Sequence, residues 1–594
     1  MEKKLYLCPV KTDVRMMRKI LLLTVLLLAS LTGRGQTWDD LNARPYPQWF
    51  SDAKLGVFVH WGLYSVPAYA GKEGYAEWFY RGLMTKDPDR CRIMSLYADT
   101  TLPVFEQYKE LAKHWHGELW NPLEWARMFR DAGARYVVLV TKHHDGYCLW
   151  DSPQQPEWNS VVSGPRRNVV GELTEAVRAE GLTMGFYYSL PEWSNLRHIW
   201  MQDPDTAIGD YVDNYMVPQF KELVSRYKPE LIFADGDWQN GASEFHSEEL
   251  ISWYYNLVGP DAIVNDRWGN GTRHGFRTPE YSAGIEVTDR PWAECRGIGR
   301  SFGFNRNEDL DNFLTSTELI QHFCELVAHG GGLTLNVGPM ADGTIPFIQQ
   351  ERLRDLGRWL KVNGEAIYGT RCAAGFRPAD KEKCSAKLPS SCTINYDWVR
   401  NAPLKEMPVD NFEIHWHGIY NAPAKGWYRF KAVADDEVTV THNGDTILYF
   451  NNAWAENRPG TKILLKQNQA IELDVWYREK DLEAKAALYV SNDGDDYVLA
   501  DGEWHGTATW QRTLRCFTQK GDNLYVIEFE RPGRSLTIPD MPRLKKDAAI
   551  TLFGTTARLK WKQQKDGSLS IDLSTVDPKE MNALGHAWVL KIAR

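Results

Sequence analysis

Leu231-Ile232-Phe233-Ala234-Asp235-Gly236-Asp237-Trp238 is an uncharged apolar run that stops on a carboxylate. Four apolar residues closed by a turn dipeptide read as a strand buried on both faces, the kind that parallel sheets use. A strand that delivers an acid at its C-terminal tip is how α/β barrels present a catalytic group. Asp-Gly is also a favoured turn pair, so this stretch alone is balanced between a turn and a site. Its neighbours break the tie. Between about residues 50 and 370, strand candidates at 55–59, 136–140, 184–188, 231–234, 262–264 and 332–335 alternate with helix candidates at 122–131, 171–180, 217–227, 318–328 and 345–361. That alternation predicts an α/β domain, a (β/α)8-like barrel with room for insertions or an irregular strand. A doubly wound open sheet is the alternative, but no Gly-x-Gly-x-x-Gly follows the first strand.

In a barrel the strand tips converge on one face. Here they carry His60-Trp61, Lys142-His143-His144-Asp145, Tyr187-Tyr188, Asp235 and Asn265-Asp266-Arg267-Trp268. One buried histidine is usually a packing residue, whereas five polar and aromatic tips together suit a small polyol. Adjacent His143 and His144 would point to opposite sides of a strand, so joint metal ligation would need a loop, and no His-Glu-x-x-His accompanies them. There is no Gly-x-Ser-x-Gly elbow for a serine hydrolase. If Asp235 acts, it needs a second carboxyl group across the reacting bond. Glu280, in a loop broken by Pro279 beyond the Arg267 tip, is the candidate; Glu294 is the rival, and Asp237 is a third acid nearby.

With 594 residues and 43% apolar content, the chain has material for two to four domains. A net charge of -9 without a basic, aromatic-laced stretch argues against nucleic acid as a partner. The 25 Trp and 27 Tyr supply flat amphipathic rings that suit pyranose faces as well as cores. Arg15, Arg18 and Lys19 precede an apolar run at 20–29 that is too short to span a bilayer, so residues 1–35 read as an export signal. The expectation is a chain exported to a periplasm or the extracellular space, with no membrane span after cleavage. Eight cysteines follow the signal without a Cys-x-x-Cys pair, which disfavours zinc; Cys372, Cys384 and Cys392 are close enough in sequence to bridge.

After Arg371 the texture turns to alternating, turn-rich β sequence, as in 426–433, 524–529 and 587–592, which predicts β-sandwich domains.

Several segments together carry a family resemblance: 55–67, Glu77-Trp78, Thr141-Lys142-His143-His144-Asp145-Gly146, Leu149-Trp150-Asp151-Ser152, Asp235-Gly236-Asp237-Trp238, Ser301-Phe302-Gly303-Phe304-Asn305 and Leu335-Asn336-Val337-Gly338-Pro339. In this order they resemble the α-L-fucosidases of glycoside hydrolase family 29, across about residues 40 to 371. The resemblance implies a retaining exo-hydrolase of terminal α-L-fucose that uses no metal or cofactor, and a fucosylated oligosaccharide or polysaccharide as substrate. It implies Asp235 as nucleophile and Glu280 as acid/base. His60, Glu77, Trp78, His143, His144, Tyr187 and Arg267 correspond to the pocket that grips the sugar, with Trp238 and Phe302 or Phe304 as its apolar wall. There is one departure: many members carry Trp-Glu-x-Cys where this chain has Trp292-Ala293-Glu294-Cys295. Either Glu294 takes over that acid's part, or Glu280 holds it alone, and a fucose-like sugar such as α-L-galactose stays open as substrate. A non-catalytic glycan-binding protein on the same scaffold and a transfucosidase are further alternatives.

Residues 393–504 resemble a protective-antigen-type β-sandwich, carried by Ile394-Asn395-Tyr396-Asp397-Trp398, Trp416-His417-Gly418-Ile419-Tyr420 and Ala434-Asp435-Asp436-Glu437. The expected organisation is a catalytic domain at 36–371, a C-terminal sandwich formed by 372–392 and 505–594, and the module inserted into it. The module's implied role is glycan binding, with a spacer or a wall at the mouth of the active site as the alternative.

Overall fold

The computed structural model describes residues 37–593 apart from 73, 196–207, 282–286, 400, 452–458, 481–482 and 495, so the export signal lies outside the described residues. Seven parallel strands form the first sheet: β1 (Leu55–Val59), β2 (Tyr136–Lys142), β3 (Thr183–Ser189), β4 (Leu231–Asp235), β5 (Ile263–Val264), β6 (Ala293–Gly297) and β7 (Gly332–Val337). Their order is β5-β4-β3-β2-β1-β7-β6. An irregular segment closes the sheet into a barrel. Phe276 bridges Asn265 just past β5, while Arg277 and Glu280 bridge Trp292 and Cys295 on the β6 side, all in parallel sense. Its bonds include Phe276 N–H to Val264 O at 2.9 Å and Cys295 N–H to Pro279 O at 2.9 Å. Glu280 therefore sits on a staple of the barrel wall and not in the free loop expected from Pro279.

Apart from β6, the strands are largely apolar on both sides because they serve two cores. Phe58, Val138, Tyr187, Phe233, Phe276 and Cys295 fill the barrel. Val57, Leu139, Phe186, Ile232 and Leu335 face the surrounding helices. These are α1 (Pro122–Asp131), α2 (Val169–Ala179), α3 (Val217–Tyr227), α4 (Ser247–Val258), α5 (Ser316–Ala328) and α6 (Phe347–Asn363). Their starts are set chemically. Asn121 caps α1 by accepting from the N–H groups of Leu123 and Glu124, with Pro122 in the first turn, and Thr315 with Glu318 forms a capping box at α5. The sequence reading lacked both α4 and β6.

The remainder is antiparallel. A ten-stranded sheet faces a five-stranded one around Trp416, Phe430, Tyr477 and Trp504, and a separate core gathers Phe517, Val526, Ile571 and Leu590 beside a three-stranded sheet. One strand, Gly502–Lys520, runs through both units: its first half pairs with Phe412–Asn421, its second with Asn523–Glu528, and Ala379–Lys387 lines its other edge. Cys372, Cys384 and Cys392 are all free thiols. No helix among the described residues is long and apolar enough to cross a membrane.

Candidate active site

β4 ends on Asp235, and the chain must turn at once. Gly236 adopts φ +92°, and a Cβ there would lie 2.3 Å from Pro191 Cδ. The Asp-Gly pair is thus both a turn and the presentation of an acid. Asp235 is 7% exposed and is held from three strands. The Tyr187 hydroxyl from β3 donates to Oδ2 at 2.8 Å, His144 Nε2 beyond β2 lies 3.3 Å from Oδ2, and Arg267 Nη1 beyond β5 reaches Oδ1 at 3.3 Å. Burial by itself would push this carboxyl up, towards its neutral form. The His144 contact, the Arg267 charge and the Tyr187 hydrogen bond outweigh it and hold Asp235 well below the usual carboxylate range, ionised throughout working pH.

The same guanidinium reaches the second acid. Arg267 Nη2 lies 3.1 Å from Glu280 Oε2, and the Tyr75 hydroxyl donates to Glu280 Oε1 at 2.7 Å. Arg267 is itself fixed by donating from Nε to Thr278 Oγ1 at 3.0 Å and from Nη2 to the Thr278 carbonyl at 2.9 Å. Asp235 and Glu280 are therefore separated by one guanidinium and two hydrogen bonds. Glu294 is not with them. On β6 Ala293 and Cys295 point into the barrel, so Glu294 points out, where its carboxylate meets His322 Nε2 of α5 at 2.6 Å. The departure at Ala293 is equally remote from the tips. It faces the floor of the barrel, in a small hollow lined by Phe50, Lys54, Tyr136 and Gly332 at the starts of the strands.

Around the two acids lie the remaining expected residues. His60 Nδ1 donates to Asn336 Oδ1 at 2.6 Å, since Asn336 Nδ2 is committed to the Phe302 carbonyl at 2.6 Å. Burial pulls His60 down to about 3, so it is neutral and offers Nε2 as an acceptor. His143 is also kept neutral by burial; its ring is parallel to that of Tyr187, and its Nδ1 is buried without a protein partner. The Ser189 hydroxyl is spent on the Pro191 carbonyl at 2.6 Å, so it accepts from His144 Nδ1 at 2.5 Å and sets that ring's orientation. Glu77, 1% exposed, accepts from the Gly303 N–H at 2.7 Å and from Ser301 Oγ at 3.3 Å, which ties down the loop that carries Phe302. Burial pushes Glu77 up to about 7. Phe302 lies 5.0 Å from the His60 ring.

Three contributors were missed by sequence reasoning. Tyr75 had no local signal. Asn336 did, as a polar residue inside a fully buried strand. Trp193 packs 4.8 Å from His144 and 5.1 Å from Trp78, and Trp78 in turn lies 5.6 Å from the half-exposed Trp238, so four rings form one lip of the site. Behind that lip, Lys142 and Glu192 form an ion pair at 2.7 Å with neither side chain exposed. Among the described residues no group of three or more His, Cys, Asp or Glu side chains could hold a metal ion.

A parallel barrel whose strand tips bring two carboxylates to one arginine, inside a cup of imidazoles and indoles, is the construction of a glycoside hydrolase. Comparison with known proteins narrows the class. The family model described as Alpha-L-fucosidase matches residues 29–365, the PA14 domain matches 386–504, and the Alpha-L-fucosidase C-terminal domain matches 509–593. An alpha-L-fucosidase of Dictyostelium discoideum is 40% identical over 367 residues, covering 60% of this chain and 79% of that protein. The tissue alpha-L-fucosidase of Homo sapiens is 37% identical over 341 residues, covering 56% of this chain and 72% of the relative. The crystal structure of Thermotoga maritima alpha-fucosidase in complex with a mechanism based inhibitor aligns with 94% of this chain and 99% of its own, at 28% identity and a TM-score of 0.63. This chain belongs to the alpha-L-fucosidase family.

Proposed function

We propose that the chain removes terminal α-L-fucose from glycans with net retention, through a fucosyl-enzyme ester on Asp235. The observation that carries this reading is the Arg267 bridge between Glu280 and the ionised Asp235. In the first step an Asp235 oxygen bonds to the anomeric carbon as the glycosidic C–O bond breaks, and the departing oxygen takes the proton of Glu280. In the second, water gives its oxygen to the anomeric carbon and its proton to Glu280, which frees Asp235. The neutral His60 and His143 supply acceptors and donors for sugar hydroxyls, while Trp78, Trp238 and Phe302 suit the methyl group and the C–H face. Similarity to relatives named alpha-L-fucosidase, and to an alpha-fucosidase solved in complex with fucose, supports the same substrate.

Proton NMR of a fresh digest of an aryl α-L-fucoside tests the mechanism. The α anomer of fucose should appear first and then mutarotate; first appearance of the β anomer would exclude a covalent ester on Asp235. The remote floor position of Ala293 supports fucose over a sugar altered near the acid, because that departure removes no side chain from the pocket.

The basic-then-apolar segment at 15–29 supports export. Mass spectrometry of the N-terminus in the exported fraction should find a chain beginning near Gln36, and an intact leader there would refute it.

A further inference from the structure

In the inserted sandwich, Phe412–Asn421 and Ala470–Glu479 pair so that His415 stands opposite Trp476 and His417 opposite Asp474. Alternation buries Ile414, Trp416, Val475 and Tyr477, which leaves the other four side chains together on the outer face. There the His415 imidazole lies flat on the Trp476 indole, with centroids 3.7 Å apart and planes 2° from parallel. Asp474 Oδ1 fixes the stack, accepting from His415 Nε2 at 2.7 Å and from His417 Nδ1 at 3.1 Å. The indole nevertheless stays 48% exposed, and Tyr449, 55% exposed, continues the same cross-strand row beyond Thr439.

A rigid exposed ring needs a reason, and the surroundings select the ligand. Arg478 at the rim is paired within the sheet, with Glu413 at 2.8 Å and with Glu437 at 3.6 Å, and Asp474 is engaged by two imidazoles, so the face is not built around an unpaired charge. It is also broken up by carboxylate, imidazole and hydroxyl groups, which a dry protein interface would have to desolvate. A neutral pyranose fits both conditions: its C–H face covers an indole while its hydroxyls reach the ring of polar groups.

We propose that the face centred on Trp476 is a second carbohydrate-binding surface, which holds neutral pyranose units of the same polymer whose terminal sugars the barrel removes. The choice of polymer rests on the fucosidase reading, while the site itself does not. Its effect is that of a tether: one engaged end raises the concentration of further fucosyl termini at the barrel.

Binding is measured without turnover, in an Asp235→Asn background, by affinity electrophoresis in fucosylated xyloglucan and in asialo-mucin. Adding Trp476→Ala should weaken retention by about tenfold in at least one polymer, and Trp476→Phe should restore part of it. In otherwise wild-type enzyme, Trp476→Ala should leave kcat/KM on an aryl α-L-fucoside unchanged and raise KM on the retained polymer. Equal retention with and without the indole, or no retention of the parent on either polymer, overturns the proposal. Because Trp476 is half exposed, the variant should fold; His415→Ala, which removes the ring beneath it, gives an independent second test. Failure of the fucosidase reading would appear separately, as a wild-type enzyme inert on the aryl fucoside.

Discussion

Lys142→Met should strike both the stability of the barrel and the aim of its nucleophile, Asp235. Lys142 Nζ lies 2.7 Å from Glu192 Oε1 in complete burial, donates to Gln219 Oε1 at 3.1 Å and sits 4.1 Å over the Tyr188 ring. With the ammonium gone, Glu192 keeps the Asn195 amide at 3.2 Å as a donor but has lost its counter-charge. Breaking one side of a buried pair costs about 3–5 kcal/mol, because the stranded charge retains its desolvation penalty. Replacing both partners with apolar groups of similar volume is often neutral, so Lys142→Met/Glu192→Leu should recover most of the loss. The activity consequence follows from the loop that Glu192 anchors. Its next residues donate to the catalytic loop, Trp193 N–H to the His144 carbonyl at 2.7 Å and Ser194 Oγ to the Asp145 carbonyl at 2.7 Å. A displaced Trp193 frees the His144 ring, and Asp235 loses part of its hold, so kcat/KM should fall by about 10–100-fold in Lys142→Met. A urea titration read by residual aryl-fucosidase activity and by tryptophan fluorescence assigns the transition to the barrel, which matters in a chain with several cores. A loss under about 1 kcal/mol in Lys142→Met, or a double variant no more stable than the single one, would show that the pair is not an isolated buried charge couple and would refute the reasoning.

Other substitutions separate roles within the site. Asp235→Asn should lower kcat on an aryl α-L-fucoside by at least ~10³-fold while fucose still binds by calorimetry, and near wild-type turnover would remove Asp235 from the mechanism. Glu280→Gln should depress hydrolysis of natural glycosides far more than that of substrates with acidic aryl leaving groups, whereas Glu294→Gln should leave both rates near wild type and lower only stability; the reverse pattern would reinstate Glu294. Tyr187→Phe removes a hydrogen bond to a charged acceptor, worth about 1.5–3 kcal/mol, so kcat/KM should drop by roughly 10–100-fold with the fold intact by circular dichroism. For Glu77, burial lifts the folded-state value from 4.5 to about 7, so the folded chain binds more protons than the unfolded one within that window. Stability should therefore fall as pH rises through the window, by a contribution on the order of 3 kcal/mol, and Glu77→Gln should flatten the dependence. An unchanged pH–stability profile in that variant would contradict a buried Glu77.

The parts of the barrel that could be read in the sequence are those where one strand serves two apolar cores. Leu55–Val59 and Leu231–Asp235 are buried at every position, and their composition says so. Ala293–Gly297 is just as buried, but its outward side carries Glu294 and Arg296, which are satisfied by His322 and by each other, so no apolar run survives. The closing segment at 276–280 is held by isolated bridges and contains Pro279, which cannot donate a ladder bond. Helix α4 was obscured by Trp253-Tyr254-Tyr255, aromatics that suit strands as well. In the site, residues at strand tips were legible because the tips of a barrel must converge. Tyr75 reaches Glu280 across 205 positions of sequence, and no local pattern encodes such a meeting.

The strand Gly502–Lys520 has a consequence for anyone who would remodel the chain. Nineteen residues of continuous backbone are hydrogen-bonded to the inserted module at one end and to the terminal sheet at the other. The module is therefore not a cassette that can be unplugged at its family boundaries. Excising it would strip partners from one half of a ladder and leave an open edge primed for intermolecular pairing. A successful chimera would have to graft onto the strand in register, keeping Thr507 to Cys516 against the 379–387 edge, and exchange only what lies beyond it.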